Sequence, residues 1–178
     1  MRYIAQQDNY SCGPAALANI LKWAGFKVNC KEQKKLLKEI TSCDSNGTWP
    51  SSLDKALRIM NSLLLKPIII KRTKNLTKKE LDRHLDSGGI ALFANIRPKR
   101  LYRRGKKKED SGHFSLVISK TPRTYTLVNE TDYEFGKNRS TLRISRYRFN
   151  KLDVKEAERT IWLIKRNNKI LQNLFGSV

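Results

Sequence analysis

The spacing of apolar residues changes near Ile90, and this change is the strongest constraint on the fold. Before Ile90, apolar positions recur mainly at helical intervals, and Thr77–Glu80 has the form of a capping box. We predict one strand in this half, Pro67–Lys71. Four helices are predicted around it: Cys12–Ala24, Lys31–Ile40, Ser51–Met60 and a helix from Thr77 to Gly88-Gly89.

From Ile90 onward, β-branched and aromatic residues favour strands, and Thr121–Arg123 separates two of them as a hairpin turn would. A half that is mostly helical followed by a half that is mostly strand predicts an α+β fold, with a helical layer packed on an antiparallel sheet. The strands predicted are Ile90–Ile96, His113–Ser119, Tyr125–Asn129, a weaker Leu142–Ile144, and Thr160–Ile164.

The chain has 178 residues, the length of one domain, and we assign residues 1–166 to that domain and 167–178 to a tail. Its three cysteines, Cys12, Cys30 and Cys43, are typical of a reducing compartment, although a disulfide between Cys30 and Cys43 stays open. No signal peptide begins the sequence, and the longest apolar run, Leu63–Ile70, is too short and too interrupted to span a membrane. We therefore expect a cytoplasmic location.

Positive charge is the unusual bulk property, since 37 Lys and Arg against 16 Asp and Glu give a formal charge of +21. It is densest in an insert at residues 97–108, which has eight basic residues and no acidic one. The insert could be a solvated loop, could dock an acidic substrate, or could bind nucleic acid. A solvated loop is favoured slightly, because Tyr102 is the only aromatic residue available there for base stacking.

Cys12 lies where the first predicted helix begins, within Ser11-Cys12-Gly13-Pro14. The positive end of a helix dipole lowers the pKa of a thiol and favours the reactive thiolate. A cysteine beside an apolar helix is more often a small buried side chain, so the motif needs partners before it indicates chemistry.

A reactive thiolate needs a base, and the sequence has two histidines. His84 lies in the charged segment Asp82–Asp86, where a solvated surface position is expected. His113 opens a strand after Ser111-Gly112, and an imidazole at a strand end can project into a cleft. His113 is therefore the candidate base.

The base needs an orienting group, and an acyl intermediate needs donors for its oxyanion. Asn129 ends the strand that pairs with the His113 strand, and Glu130 and Asp132 are alternatives. The backbone N–H of Cys12 can supply one oxyanion donor. Gln6 and Gln7 both qualify by position for a second.

The nucleophile segment resembles that of the papain-like cysteine peptidases that process double-glycine leader peptides of bacteriocins. The similarity continues in Asn46–Pro50, Ile90–Ile96 and Gly112–Val117, in the order of the family's motifs. The first matching segment reads Gln6-Gln7-Asp8-Asn9-Tyr10-Ser11-Cys12-Gly13-Pro14-Ala15-Ala16-Leu17-Ala18-Asn19-Ile20-Leu21.

The resemblance implies a papain-like fold in which Cys12 is the nucleophile, His113 the base, Asn129 the orienting residue and Gln6, rather than Gln7, an oxyanion donor. Asn129-Glu130 departs from the family, which usually has Asp followed by Pro there, and the insert is a second departure. The transporter to which many members are fused is also missing from this sequence. Candidate substrate-binding residues are Trp49, in the Asn46–Pro50 segment, and Arg103 and Arg104, in the insert.

The sequence thus predicts a cysteine peptidase that hydrolyses a peptide or isopeptide bond through a thioester. The expected partner is a peptide or protein substrate, an acidic one included, and the interpretation requires no cofactor and no metal ion. Two alternatives stay open: a basic nucleic-acid-binding or structural protein on an inactive papain-like scaffold, and a thioester-forming transferase or deamidase. The sequence does not give an oligomeric state.

Overall fold

The computed structural model describes residues 3–4, 10–28, 31–45, 47–64, 68–96, 112–132, 137–151 and 160–167. The helices are α1 (Cys12–Trp23), α2 (Lys31–Ile40), α3 (Pro50–Leu63), α4 (Lys78–Asp86) and α5 (Arg146–Lys151). The strands are β1 (Ile68–Thr73), β2 (Ile90–Ile96), β3 (Gly112–Lys120), β4 (Thr124–Asp132), β5 (Lys137–Ser145) and β6 (Thr160–Arg166).

The six strands form one sheet in the order β1-β6-β2-β3-β4-β5, with antiparallel neighbours throughout. The hairpin β3–β4 turns at Thr121, whose hydroxyl accepts hydrogen bonds from the backbone N–H groups of Arg123 and Thr124. The α+β prediction is therefore confirmed, and β3, the strand of His113, lies in the interior of the sheet between β2 and β4.

Alternate residues of β2 enter two separate cores, one on each face of the sheet. Ile90 and Leu92 pack with α1, α2 and α3, whereas Ala91 and Phe93 pack with α4 and α5. This alternation follows from the two-residue period of a strand. A helical layer on one face was predicted, and the structure adds a second one on the other, so the sheet is covered on both sides.

Helix α3 is attached to the sheet by a partly buried polar contact. Trp162, which is fully buried in β6, donates its indole N–H to Asp54 Oδ1 at 2.8 Å, and Arg58 Nε donates to Asp54 Oδ2 at 3.0 Å. Burial alone would raise the pKa of Asp54, but these donors outweigh it and hold the pKa below its usual value. The contact fixes the first turns of α3, next to the loop that reaches the candidate site.

Helix α4 is held by its capping box and by a polar junction with β4 and α5. Thr77 and Glu80 exchange the two capping hydrogen bonds that the sequence predicted. Asp82 accepts the Tyr125 hydroxyl at 2.8 Å and the Arg146 guanidinium at 2.6 Å, while Arg146 also lies over the Tyr125 ring. We call Asp82, Tyr125 and Arg146 the α4 junction.

His84 is buried, so the prediction of a solvated position is wrong. Its Nε2 lies 2.9 Å from the carbonyl oxygen of Ile90 and 3.2 Å from that of Ile164. Two acceptors require a proton on Nε2, which makes His84 a structural donor between α4 and the sheet. Burial, the largest cause, lowers its pKa below the usual value. Gly89 must lack a side chain because a Cβ would lie 2.3 Å from the ring.

Helix α5 was not predicted, and β5 is longer than the predicted Leu142–Ile144. Phe149 explains α5, since it packs edge-on against Phe93 at 5.3 Å and against Tyr125 at 4.8 Å. In the part of the chain that the structure describes, no helix is long and apolar enough to cross a membrane.

Candidate active site

Cys12 is the first residue of α1, and it is 5% exposed between buried Ser11 and Gly13. The Ser11 carbonyl accepts the first helical hydrogen bond from Ala15 at 3.0 Å, and Pro14 occupies an early position where a helix needs no N–H. The first-turn N–H groups of an α-helix have no acceptor within the helix and carry its positive end. The prediction of Cys12 at a helix N-terminus is confirmed.

The chain segment before Cys12 is attached to the side of α1 by Asn19. The Asn19 amide, fully buried, accepts from the Ile4 N–H at 2.7 Å and donates to the Ile4 carbonyl at 2.8 Å. This pair of bonds fixes the backbone two residues before Gln6. The role of Asn19 was not predicted, although a lone amide within the apolar run Leu17–Leu21 was a usable signal.

A loop after α2 packs on the nucleophile segment, and we call residues 43–49 the site loop. Cys43 Sγ lies 3.4 Å from the Tyr10 carbonyl oxygen. Asp44 and Gly47 exchange backbone hydrogen bonds of 3.1 and 3.3 Å, and Gly47 has a φ of +95°, a conformation that favours glycine. The loop therefore has its own turn and a direct contact with the backbone just before Cys12.

Thr48 lies directly against Gly13. A Cβ on Gly13 would lie 2.5 to 2.8 Å from the Thr48 side-chain atoms, which explains the glycine after Cys12. Thr48 Oγ1 is buried, and among the described residues it is the one buried side-chain oxygen or nitrogen without a hydrogen-bond partner. The next residue, Trp49, is 70% exposed. The site loop thus carries a half-buried side chain, Thr48, against the nucleophile helix and an exposed one, Trp49, beside it.

His113 is the second residue of β3, it is 3% exposed, and it pairs with Asn95 of β2. Helix α1 packs against both β3 and β4, so the helix of Cys12 lies on the strands of His113 and Asn129. Along β3, Phe114 and Leu116 enter the core under α1, and Val117 enters the core on the other face. By the two-residue period, His113 shares the parity of Val117. The register of β3 alone does not bring the His113 imidazole to the Cys12 thiol.

Asn129 lies in β4, whose register pairs Leu116 with Val128. If this register continues by one residue, the Asn129 backbone lies opposite Ser115. Ser115 is two residues after His113 in β3, so Asn129 and His113 occupy diagonal positions. Diagonal positions of this kind lie about 7–8 Å apart, within reach of long side chains. The side chains of Asn129, Glu130 and Asp132 lie outside the described part of the structure.

Several predicted residues lie outside the described residues altogether: Gln6, Gln7, Cys30, Arg103, Arg104 and the remainder of the 97–108 insert, together with 168–178 of the tail. The disulfide between Cys30 and Cys43 that the sequence left open stays untested, because Cys30 lies outside the described residues. Among the residues that are described, no group of three His, Cys, Asp or Glu side chains could hold a metal ion.

Among the comparisons with known proteins, the one with solved structures identifies the fold. No family model matches the sequence, and no curated protein sequence matches it. Three solved structures are similar at 14–16% identity. The first is the peptidase domain of Streptococcus ComA, which is an ABC transporter of a quorum-sensing pathway. The others are a C39-like peptidase, described as putative, from Bacillus anthracis and a double glycine motif protease from an AMS/PCAT transporter in complex with the leader peptide.

The similarity covers 92–93% of this chain and 91–98% of those three chains, with TM-scores of 0.59, 0.59 and 0.52. It therefore extends over the helices and the complete sheet rather than over one motif. The order of the elements and their packing identify the architecture, which is the papain-like α+β arrangement that the sequence predicted. This chain has the fold of the ComA peptidase domain, of a C39-like peptidase and of the double glycine motif protease of an AMS/PCAT transporter.

Proposed function

We propose that the protein is a cysteine peptidase that cleaves a peptide or isopeptide bond, with Cys12 as nucleophile and His113 as base. The observation that carries the proposal is the position of Cys12 at the first residue of α1, on a helix packed against the strands of His113 and Asn129. A helix N-terminus favours the thiolate form of such a thiol. The leader peptide bound to one similar peptidase makes a peptide the first substrate class to test.

In the proposed reaction, His113 accepts the Cys12 proton, and the thiolate attacks the substrate carbonyl carbon. The Cys12 N–H and the Gln6 amide hold the oxyanion. His113 returns the proton to the leaving amine, which leaves a thioester on Cys12. His113 then takes a proton from water, the hydroxide attacks the thioester, and the acid product leaves as the thiolate forms again.

Asn129 is proposed as the residue that orients the His113 ring, as a buried carboxylate or amide does in related triads. The β3–β4 register supports this role, since it brings the two backbones within one diagonal step. Trp49 is proposed to contact the substrate beside Cys12, and Arg103 and Arg104 are proposed to contact an acidic region of it.

The experiment that tests the proposal is cleavage of a peptide library by the protein and by its Cys12→Ala variant. We expect Cys12→Ala to abolish turnover, by at least about 10⁴-fold, because no other group replaces a covalent nucleophile. Denaturant unfolding should show that the variant is folded. The matched control is Cys30→Ala, which removes a thiol without a proposed role and should retain turnover. Turnover by the Cys12→Ala protein at the original rate would end the proposal.

A further inference from the structure

Trp49 occupies a position at the start of α3 where tryptophan is not a favoured residue. It is the N-cap of α3, a position that favours Ser, Thr, Asp or Asn, and its side chain makes no capping hydrogen bond. Its indole is 70% exposed, whereas Trp23 and Trp162 are buried at 7% and 0%. A large aromatic side chain that neither caps the helix nor enters the core points to a surface role for it.

The position of Trp49 relative to Cys12 is fixed by the site loop. Thr48, the preceding residue, packs on Gly13, and Cys43 contacts the Tyr10 carbonyl. Both ends of the loop therefore touch the chain next to Cys12. The exposed indole projects from a loop that is fixed on the nucleophile segment rather than from a distant surface.

Tyr10 is a second exposed aromatic residue close to Cys12. It lies two residues before Cys12 and is 39% exposed, and the Lys38 ammonium lies 5.4 Å from the centre of its ring. Exposed aromatic rings are therefore present on both chain segments next to the thiol, and Lys38 places a positive charge beside the Tyr10 ring. Such residues attract an apolar side chain with a carboxylate nearby.

We propose that Tyr10 and Trp49 bind a bulky apolar or aromatic side chain of the peptide substrate, close to the scissile bond, and that Lys38 favours an acidic residue beside it. This inference rests on the proposed function and specifies its substrate. The formal charge of +21 agrees with an acidic peptide as the partner. Trp49 is then the residue that determines which side chain is accepted next to Cys12.

Substrate profiling tests the claim. Short capped peptides that carry Phe, Leu or Ala at the preferred position are cleaved by wild type, Trp49→Ala and Trp49→Phe. We expect Trp49→Ala to lower kcat/KM by about 10- to 100-fold for the Phe peptide, mainly through KM, and by less than about 3-fold for the Ala peptide. Trp49→Phe should retain most of the activity, because it keeps an aromatic face.

Tyr147→Ala is the matched control, since Tyr147 is 68% exposed but lies on α5, and α5 packs on the face of the sheet opposite α1. Its profile should equal that of wild type. Lys38→Gln should weaken the preference for Glu over Gln beside the apolar residue by about 3- to 10-fold without changing the choice between Phe and Ala.

Binding without cleavage is measured by tryptophan emission of the Cys12→Ala protein. Because Trp49 is the exposed tryptophan, the Phe peptide should shift the emission to shorter wavelength, and the shift should vanish in Cys12→Ala/Trp49→Phe. Cleavage that depends on Cys12, with an unchanged profile in Trp49→Ala, overturns this inference and leaves the peptidase intact. An emission shift without any cleavage in wild type overturns the peptidase and retains the aromatic peptide site. Neither signal overturns both.

Discussion

The site loop and the α4 junction are both polar regions within packed surroundings, but they satisfy their polar groups to different extents. At the α4 junction, the fully buried Tyr125 donates to Asp82, and Arg146 donates to the second oxygen of the same carboxylate. In the site loop, the Thr48 hydroxyl is buried and has no hydrogen-bond partner among the described residues. The same chemical group is therefore satisfied in one region and unsatisfied in the other.

This difference in hydrogen bonding distinguishes a region that stabilises the fold from a region proposed to bind substrate. Burying a hydroxyl without a partner costs roughly 1–3 kcal/mol, so the Thr48 hydroxyl is not expected to stabilise the fold as the Tyr125 hydroxyl does. The loop that carries this cost also carries the exposed Trp49 and touches the nucleophile segment. The α4 junction lies on the other face of the sheet, and each of its groups stabilises the fold. Local conflicts of this kind are expected where a protein binds its substrate.

Tyr125→Phe should have the larger effect on stability. It removes a hydrogen bond to a charged acceptor from a residue that is fully buried, so we expect the free energy of unfolding to fall by about 1–2 kcal/mol in urea titration at neutral pH. Tyr147→Phe is the control, because Tyr147 is 68% exposed, and its change should stay within about 0.5 kcal/mol. Equal losses in the two variants would contradict the account of the α4 junction.

The same substitution has a pH signature. Burial, then the bond to Asp82 and its charge, raise the pKa of Tyr125 to about 12 from the ordinary value of 10.0. Because the folded pKa is the higher one, the contribution to stability is complete below pH 10 and is lost as the pH rises toward 12. The difference in unfolding free energy between wild type and Tyr125→Phe should therefore shrink across that interval.

Thr48→Val should have the smaller effect, with the opposite sign. Valine has the shape of threonine and removes the buried hydroxyl, so we expect the free energy of unfolding to rise by about 0.5–1 kcal/mol. Thr41→Val is the control in the preceding turn, because the Thr41 hydroxyl is buried but donates to the Leu37 carbonyl at 2.7 Å. That variant should lose about 0.5–1 kcal/mol. A loss of stability in Thr48→Val would show that its hydroxyl is satisfied.

Short sequence patterns predicted the parts of this fold that depend on interactions between residues close in the sequence. Cys12-Gly13-Pro14 before an apolar run marked the start of α1, the Thr77–Glu80 capping box marked that of α4, and Thr121–Arg123 marked the β3–β4 turn. Each of these signals acts within a few residues, through caps, turns or the missing N–H of proline.

Tertiary contacts decided what the sequence did not show. His84 lies among charged residues, yet Leu81, His84 and Leu85 share one face of α4, and the carbonyl oxygens of Ile90 and Ile164 make its burial favourable. The short helix α5 depends on the packing of Phe149 against Phe93 and Tyr125, and no local sequence pattern indicates this packing. At the site, the sequence named Cys12 and His113 as candidates. It did not show the contact of Thr48 with Gly13, because that contact forms only when the loop folds onto α1.

The central claim is that His113 activates Cys12, and thiol alkylation tests it most directly. The protein and its His113→Ala variant are treated with iodoacetamide at neutral pH, and mass spectrometry follows the labelling of Cys12, Cys30 and Cys43. Exposure alone favours Cys43, because Cys12 is buried and Cys43 is half-buried. We predict that Cys12 reacts well ahead of the other two and loses this advantage in His113→Ala. Labelling of Cys12 at or below the rate of Cys43, or an equal rate in the two proteins, would contradict the account.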